Sequence, residues 1–288
     1  MTPGRRRLAL RAANTAYRIR QKQQVALDQP CCVFDLAEGM GIEVRFADIP
    51  SAEGIYSPTK PVIIVSSLRP PGRQAFTCAH EVGHHAYGHG EQFDELVGDR
   101  AKRRRYDPEE FEADCFASAL LMPKTAVLKG MAVRGWSPKT TSAEQIYVLA
   151  SWLGVGYATL VGNMNWGMNL LGREQANALE NVKLPQIRHS ILGWDCEDHL
   201  IVVDRDWTGR PIDAQVDDVI LFPGATVLEG TVADTLHSDA KRHVVRASNP
   251  GVGRVLIPGT GWAHYVRVSR KQFSGLARFR HLAEVEDE

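Results

Sequence analysis

The 288-residue chain carries 34 basic and 34 acidic side chains and is 44% hydrophobic. It can therefore bury a sizeable core, has room for two domains, and offers no net field to nucleic acid, a membrane surface or an acidic substrate. Five cysteines without C-x-x-C spacing do not form a disulfide framework and fit reduced thiols in a cytoplasm.

Charge is unevenly placed along the chain. Arg5, Arg6, Arg7, Arg11, Arg18, Arg20 and Lys22 precede the first acid, whereas residues 195–239 are acid-rich with only Arg205 and Arg210 against them. The basic opening lacks the apolar segment of a signal peptide, and no run approaches the roughly 18 apolar residues of a membrane span. The expectation is a cytoplasmic protein with no membrane partner.

In chain order, LALRAANTAYRIRQKQQVALD has helical spacing, and CCVFDLAEGMG reads as a short helix closed by Gly39 or Gly41. IEVRF, EGIYS and PVIIVSS predict a small sheet between 42 and 66. RQAFTCAHEVGHHAY places Phe76, Ala79, Gly83 and Ala86 on one face of a buried helix that Gly88 and Gly90 end. The charged stretch 91–107, with KRRR at 102–105, reads as a solvated loop. Asp107 then caps a helix with Pro108 in its first turn, running to Pro123. Residues 142–170 read as two helices about Gly154-Val155-Gly156. From about 190 short strands follow: HLIVVD, DDVILF, RHVVRAS, GRVLIP and HYVRVS. KQFSGLARFRHLA is expected to form a closing helix before the acidic tail.

The chemistry-bearing stretch is HEVGHHAYGHG at 80–90. Residues four apart on a helix share a face, so His80 and His84 can aim two imidazoles at one metal ion, with Glu81 beside them as general base. His85 and His89 form a rival pair, but Ala86 stands where its base should be, so both read as outer partners of the ligands or as exposed polar residues. A catalytic zinc site needs a third protein ligand. On EEFEADCFASALLMP, Glu110 and Asp114 share a face, so one can bind the metal while the other accepts from a ligand histidine. Glu110 can instead complete a capping box with Asp107, and Glu112 is the fallback ligand.

RQAFTCAHEVGHHAYGHG followed by EEFEADCFASALLMP resembles the ImmA/IrrE family of zinc metallopeptidases. The first block is similar to R-x-x-F-T-x-A-H-E-x-G-H and the second to E-x-x-A-[ND]-x-F-A-x-x-L-L-M-P. The likeness covers about 30–124 and not the β-rich end. It implies an α+β protein with a minimal gluzincin-like (zincin-like) domain, with His80, His84 and Glu110 as zinc ligands, Glu81 as catalytic base and Asp114 supporting His80. It also implies a cytoplasmic regulator that cleaves or inactivates a helix-turn-helix repressor, inducing mobile elements or a stress response. His85, where the family has an apolar residue, is a departure that bears on local packing.

The expected organisation is a zincin-like metallopeptidase domain at 1–135, a helical helix-turn-helix-like segment at 136–184 and a β-rich sensor or docking domain at 185–288. The second helix of the middle segment, within GYATLVGNMNWGMNL, has no Lys or Arg and so lacks the phosphate attraction that DNA binding needs. Tyr87, His89 and Tyr106 are the candidates for oxyanion stabilisation, and EGIYS or PVIIV for pairing with an extended substrate. Trp194, Trp207 and Trp262 read as core or sheet-surface residues rather than a ligand pocket. The competing function is a non-proteolytic regulator that uses the zinc-stapled fold to sequester a repressor or partner; a housekeeping peptidase is third.

Overall fold

In a computed structural model, residues 2–90 and 106–282 are described, together with the backbone of 92–95. The basic run at 102–105 and the acidic tail lie outside the described residues. Helix α1 (Pro3–Lys22) starts at a Thr2 cap and buries Ala12, Ala16 and Arg20. Arg20 is wholly buried, and its guanidinium donates to the carbonyls of Leu120 and Ala26 at 2.6 Å each, which offsets the cost of removing a charge from water. Helix α2 (Val33–Gly39) leads into the first sheet.

That sheet contains β1 (Glu43–Ala47), β2 (Ala52–Ser57) and β3 (Val62–Ser66), where the sequence placed strands. After it come α3 (Pro71–Tyr87) and β4 (Gln92–Glu95). β3 pairs parallel to β1 and antiparallel to β2, and β4 pairs antiparallel to β2. β3 is therefore interior and the outer edge of β2 is taken by β4, so neither strand expected to receive substrate has a free edge.

Helix α3 buries every residue from Gln74 to His84 except Phe76, although five of those side chains are polar or charged. It packs on α4 (Pro108–Leu121), which packs in turn on α1. Asp107 caps α4 by accepting from the amides of Glu109 at 2.9 Å and Glu110 at 3.4 Å. Pro123 breaks the chain before α5 (Lys124–Val133). The stretch 108–133 is long and apolar enough to cross a membrane, but 56% of its most apolar window is buried in the protein core.

Helix α6 (Ala143–Leu153), opened by a Ser142–Gln145 capping box, and α7 (Tyr157–Gly162), which runs on as a π-helical turn to Gly167, are bent by 103° about the expected glycine turn. This is helix-turn-helix geometry. α8 (Arg173–Asn181) and α9 (Leu184–Leu192) follow, neither read individually from sequence.

The remainder is β-rich. β5 (Leu200–Val202), β6 (Ile212–Gln215), β7 (Val219–Pro223), β8 (Val227–Glu229), β9 (Ala233–Ser238), β10 (Arg242–Ala247), β11 (Gly251–Leu256) and β12 (Ala263–Ser269) form two four-stranded sheets, ordered β5-β7-β10-β9 and β6-β12-β11-β8. Their cores centre on Ile220, Phe222, Val244 and Val245, and on Ile212, Val255, Val266 and Val268. Trp207 is buried, whereas Trp194 lies under Arg242 and Trp262 stacks on His264.

The expected closing helix does not form. Gly275–Leu276 is instead β13, paired with β1 at Arg45 and Phe46, and only a 3-10 turn, Ala277–Phe279, follows. Gly275 sits at φ 140°, a backbone region open to glycine and closed to a helix. The whole chain is thus an α+β protein whose first sheet recruits a strand from its far end.

Candidate metal centre

Helix α3 brings the Nε2 atoms of His80 and His84 to 2.9 Å from one another. The Glu110 carboxylate of α4 meets both, with Oε2 3.4 Å from His80 Nε2 and Oε1 3.6 Å from His84 Nε2. One donor atom from each of the three residues lies within 4.8 Å of the others, a grouping that can hold a metal ion. Two imidazoles and a carboxylate are a donor set of catalytic zinc sites. The imidazoles are buried while the Glu110 side chain is 38% exposed, so the cluster is walled by α3 and open on the side of α4.

The close approach of the two helices has a local cause. A Cβ at Gly83 would lie 3.0 Å from Phe116 Cδ1 and 3.3 Å from the Cα of Ala113, so glycine lets α4 sit this near to α3 without displacing either residue. Glu110 is drawn to the imidazoles, and the capping role falls to Asp107 alone. Glu112 points away: it is buried in a paired hydrogen bond with Arg11 of α1, which removes it as a ligand.

Each histidine has an outer partner. Asp114 Oδ1 accepts from His80 Nδ1 at 3.0 Å, and His89 Nδ1 lies 2.8 Å from His84 Nδ1. His89 was read as an outer partner of the ligands or an exposed polar residue, and the structure gives it the first of these roles. Gly88, at φ 68° in the left-handed region, ends α3 and folds the chain back, with the His89 amide donating to the His84 carbonyl at 3.1 Å. His85 is held apart, its Nδ1 2.8 Å from the hydroxyl of Tyr56 on β2, which gives this departure from the family pattern its own partner.

Burial pushes the His80 pKa down, but hydrogen bonds to Asp114 and Glu110 outweigh it and hold the ring protonated. Burial and then the neighbouring His80 charge push His84 the other way.

Glu81 is fully buried under β2, where Gly54 leaves space for it. Burial raises the Tyr56 pKa, and the Glu81 charge adds to this. Of the oxyanion candidates, Tyr87 packs tilted against His89 and edge-to-face against Phe116, and Tyr106 lies on Phe111 beneath the Arg5 guanidinium. Gly54 was missed by sequence reasoning, which gave His89 a supporting role but not its partner, His84. A glycine in a short strand carries no signal of its own, and five residues in an unbroken helix would turn His89 away from His84.

A helix bearing H-E-x-x-H, backed by a mixed sheet and completed by a carboxylate from the next helix, is the arrangement of a zincin-like metallopeptidase domain. Residues 37–161 match the Peptidase_M78 family, described as the IrrE N-terminal-like domain. This part of the chain is similar to an IrrE N-terminal-like domain, as the motifs implied, and the match runs on through α6 and most of α7. Among solved structures, a Mycobacterium tuberculosis transcriptional regulator is similar at 22% identity and a TM-score of 0.35, over 55% of this chain and 46% of that one. The chain thus spans less than half the length of that regulator. No curated protein matches.

Proposed function

We propose that this protein is a zinc-dependent regulatory endopeptidase, an antirepressor that cleaves a helix-turn-helix transcriptional repressor in the cytoplasm. The observation that carries the reading is the convergence of His80, His84 and Glu110, with Glu81 on the same helix turn as the two imidazoles. In this reading the three are zinc ligands, Asp114 orients His80, and the chain divides into a peptidase domain at 1–135, a helical segment at 136–184 and a β-rich sensor or docking domain at 185–288. Its five cysteines are free thiols, which suits a reducing compartment.

Zinc at this donor set supplies Lewis acidity toward water and a peptide carbonyl. Glu81 supplies the base: its carboxylate takes a proton from the attacking water and returns it to the leaving amine. The Asp114 hydrogen bond keeps a proton on His80 Nδ1 and so leaves Nε2 free to donate its lone pair. Helix α7 carries no Lys or Arg between 157 and 170, so the segment suits packing or repressor docking better than DNA contact.

A second reading is favoured by β4. Because this chain's own strand occupies the outer edge of β2, an extended peptide cannot add there as it does at open sheet edges. The protein would then bind and sequester its partner without cutting it. Incubating purified protein with a candidate repressor, with zinc or with EDTA, separates the two. Zinc-dependent fragments that disappear with Glu81→Gln support the peptidase, and a stable complex without fragments supports the binder.

A further inference from the structure

A cavity of about 510 Å³ lies where the start of α3, the α6–α7 turn, α9 and β5 meet, apart from the metal cluster. Its volume is that of a small-molecule site. Much of its wall is apolar, including Val33, Val155, Val182, Leu200 and Ile201. It is also closely built: a Cβ at Gly72 would stand 2.6 Å from the Gly156 amide nitrogen, so the start of α3 and the α6–α7 turn touch backbone to backbone. Lys183 and Ala158, both exposed, lie at its rim and mark an entrance.

Its charges do not balance. Arg73, Lys183, Arg188 and Arg210 line it against Glu180 and Asp213. Arg73 is paired with Glu53, and Asp213 is held by Arg267 through two hydrogen bonds at 2.6 and 2.9 Å, with Arg210 at 3.8 Å. Arg188 Nε is buried and, among the described residues, has no hydrogen-bond partner. A partly buried guanidinium with an unpaired nitrogen is costly, and an anion pairing with the remaining N–H groups of Arg188 offsets that cost electrostatically. Leu184 and Arg188, four apart on α9, set an apolar and a cationic group side by side in the wall.

We infer that this cavity is a binding site for a small organic anion, an apolar body bearing one carboxylate or sulfonate that pairs with Arg188. The site is independent of the metal cluster and of any peptidase activity, although its occupant would touch Pro71 and Gly72 at the first turn of the helix that carries His80 and His84.

The test uses two fluorescent probes with the same rings, anilinonaphthalene sulfonate and its neutral counterpart phenylnaphthylamine, titrated into the full chain. The expected result is one sulfonate probe per chain, bound about tenfold more tightly than the neutral one. Arg188→Met should cost the sulfonate probe about tenfold and leave the neutral probe unchanged, Arg188→Lys should recover most of that loss, and Ser151→Phe, which fills the cavity from α6, should weaken both. Circular dichroism and thermal melting establish that each variant is folded, and the lysine and phenylalanine variants decide the matter if the methionine variant is not. Equal binding of the two probes, no stoichiometric binding, or sulfonate affinity unaffected by these changes overturns the assignment.

Discussion

Glu81 lies directly beneath Gly54: a methyl group added at that glycine would stand 3.0 Å from Glu81 Oε1 and 2.5 Å from Thr77 Cγ2. One strand residue therefore sets where the proposed base can sit. Gly54→Ala should displace the carboxylate while leaving His80, His84 and Glu110 in place, and should lower peptide cleavage about ten- to hundredfold with zinc content retained. Metal analysis beside a cleavage assay decides this, and normal turnover would show that the base tolerates the shift.

The contact between His84 and His89 fixes a tautomer. With zinc on Nε2, as proposed, His84 would carry its proton on Nδ1 and donate it to His89 Nδ1 across 2.8 Å. His89→Phe keeps the ring and removes the acceptor, and zinc affinity should fall about ten- to hundredfold, as losses of such outer partners do. A chelator competition titration reads this directly; equal affinity in the variant and the parent would mark the contact as incidental.

Gly83→Ala tests the spacing of α3 and α4. The added methyl meets Phe116 and Ala113, so overpacking should cost about 1–3 kcal/mol and push Glu110 away from the two imidazoles. The loss should be larger for the zinc-loaded protein than for the apo protein in denaturant titrations. A loss of equal size in both forms would mean that the spacing does not serve the site.

Stability should fall in mild acid because of His281. Burial and then the Arg280 charge push its pKa down to about 4, although Asp213 Oδ1 lies 3.5 Å away. As pH drops below about 6.5 the unfolded chain takes up this proton before the folded one, so folding loses up to about 3 kcal/mol by the time pH reaches about 4. His281→Phe should flatten the stability profile across that range by about one proton. Urea midpoints that track the parent at every pH would rule this source out.

Much of the fold was legible because its causes are local. Helical spacing and the Asp107-Pro108 start located α3 and α4, and alternation located β1 to β3 and most strands of the β-rich part. The closing helix failed because KQFSGLARFRHLA has acceptable helical spacing, while its actual partner, β1, lies more than two hundred residues earlier in the chain. β6, β8 and β9 were missed for a related reason. β6 and β8 are short, and burial in β9 is slight, so their pairing is decided by neighbours rather than by their own pattern.

In the site, the spacing of His80, Glu81 and His84 already placed two imidazoles on one face and a carboxylate beside them, because a four-residue step on a helix is a geometric constant. Sequence alone left Glu110 divided between ligand and cap, left Glu112 in reserve and left His89 divided between a supporting and an exposed position. Tertiary packing resolved these. The glycine contact at Gly83 set the distance between two helices, Arg11 drew Glu112 into a separate pair, and the left-handed turn at Gly88 returned His89 to His84. Spacing within one element is written in the chain, whereas the meeting of two elements depends on what fits between them.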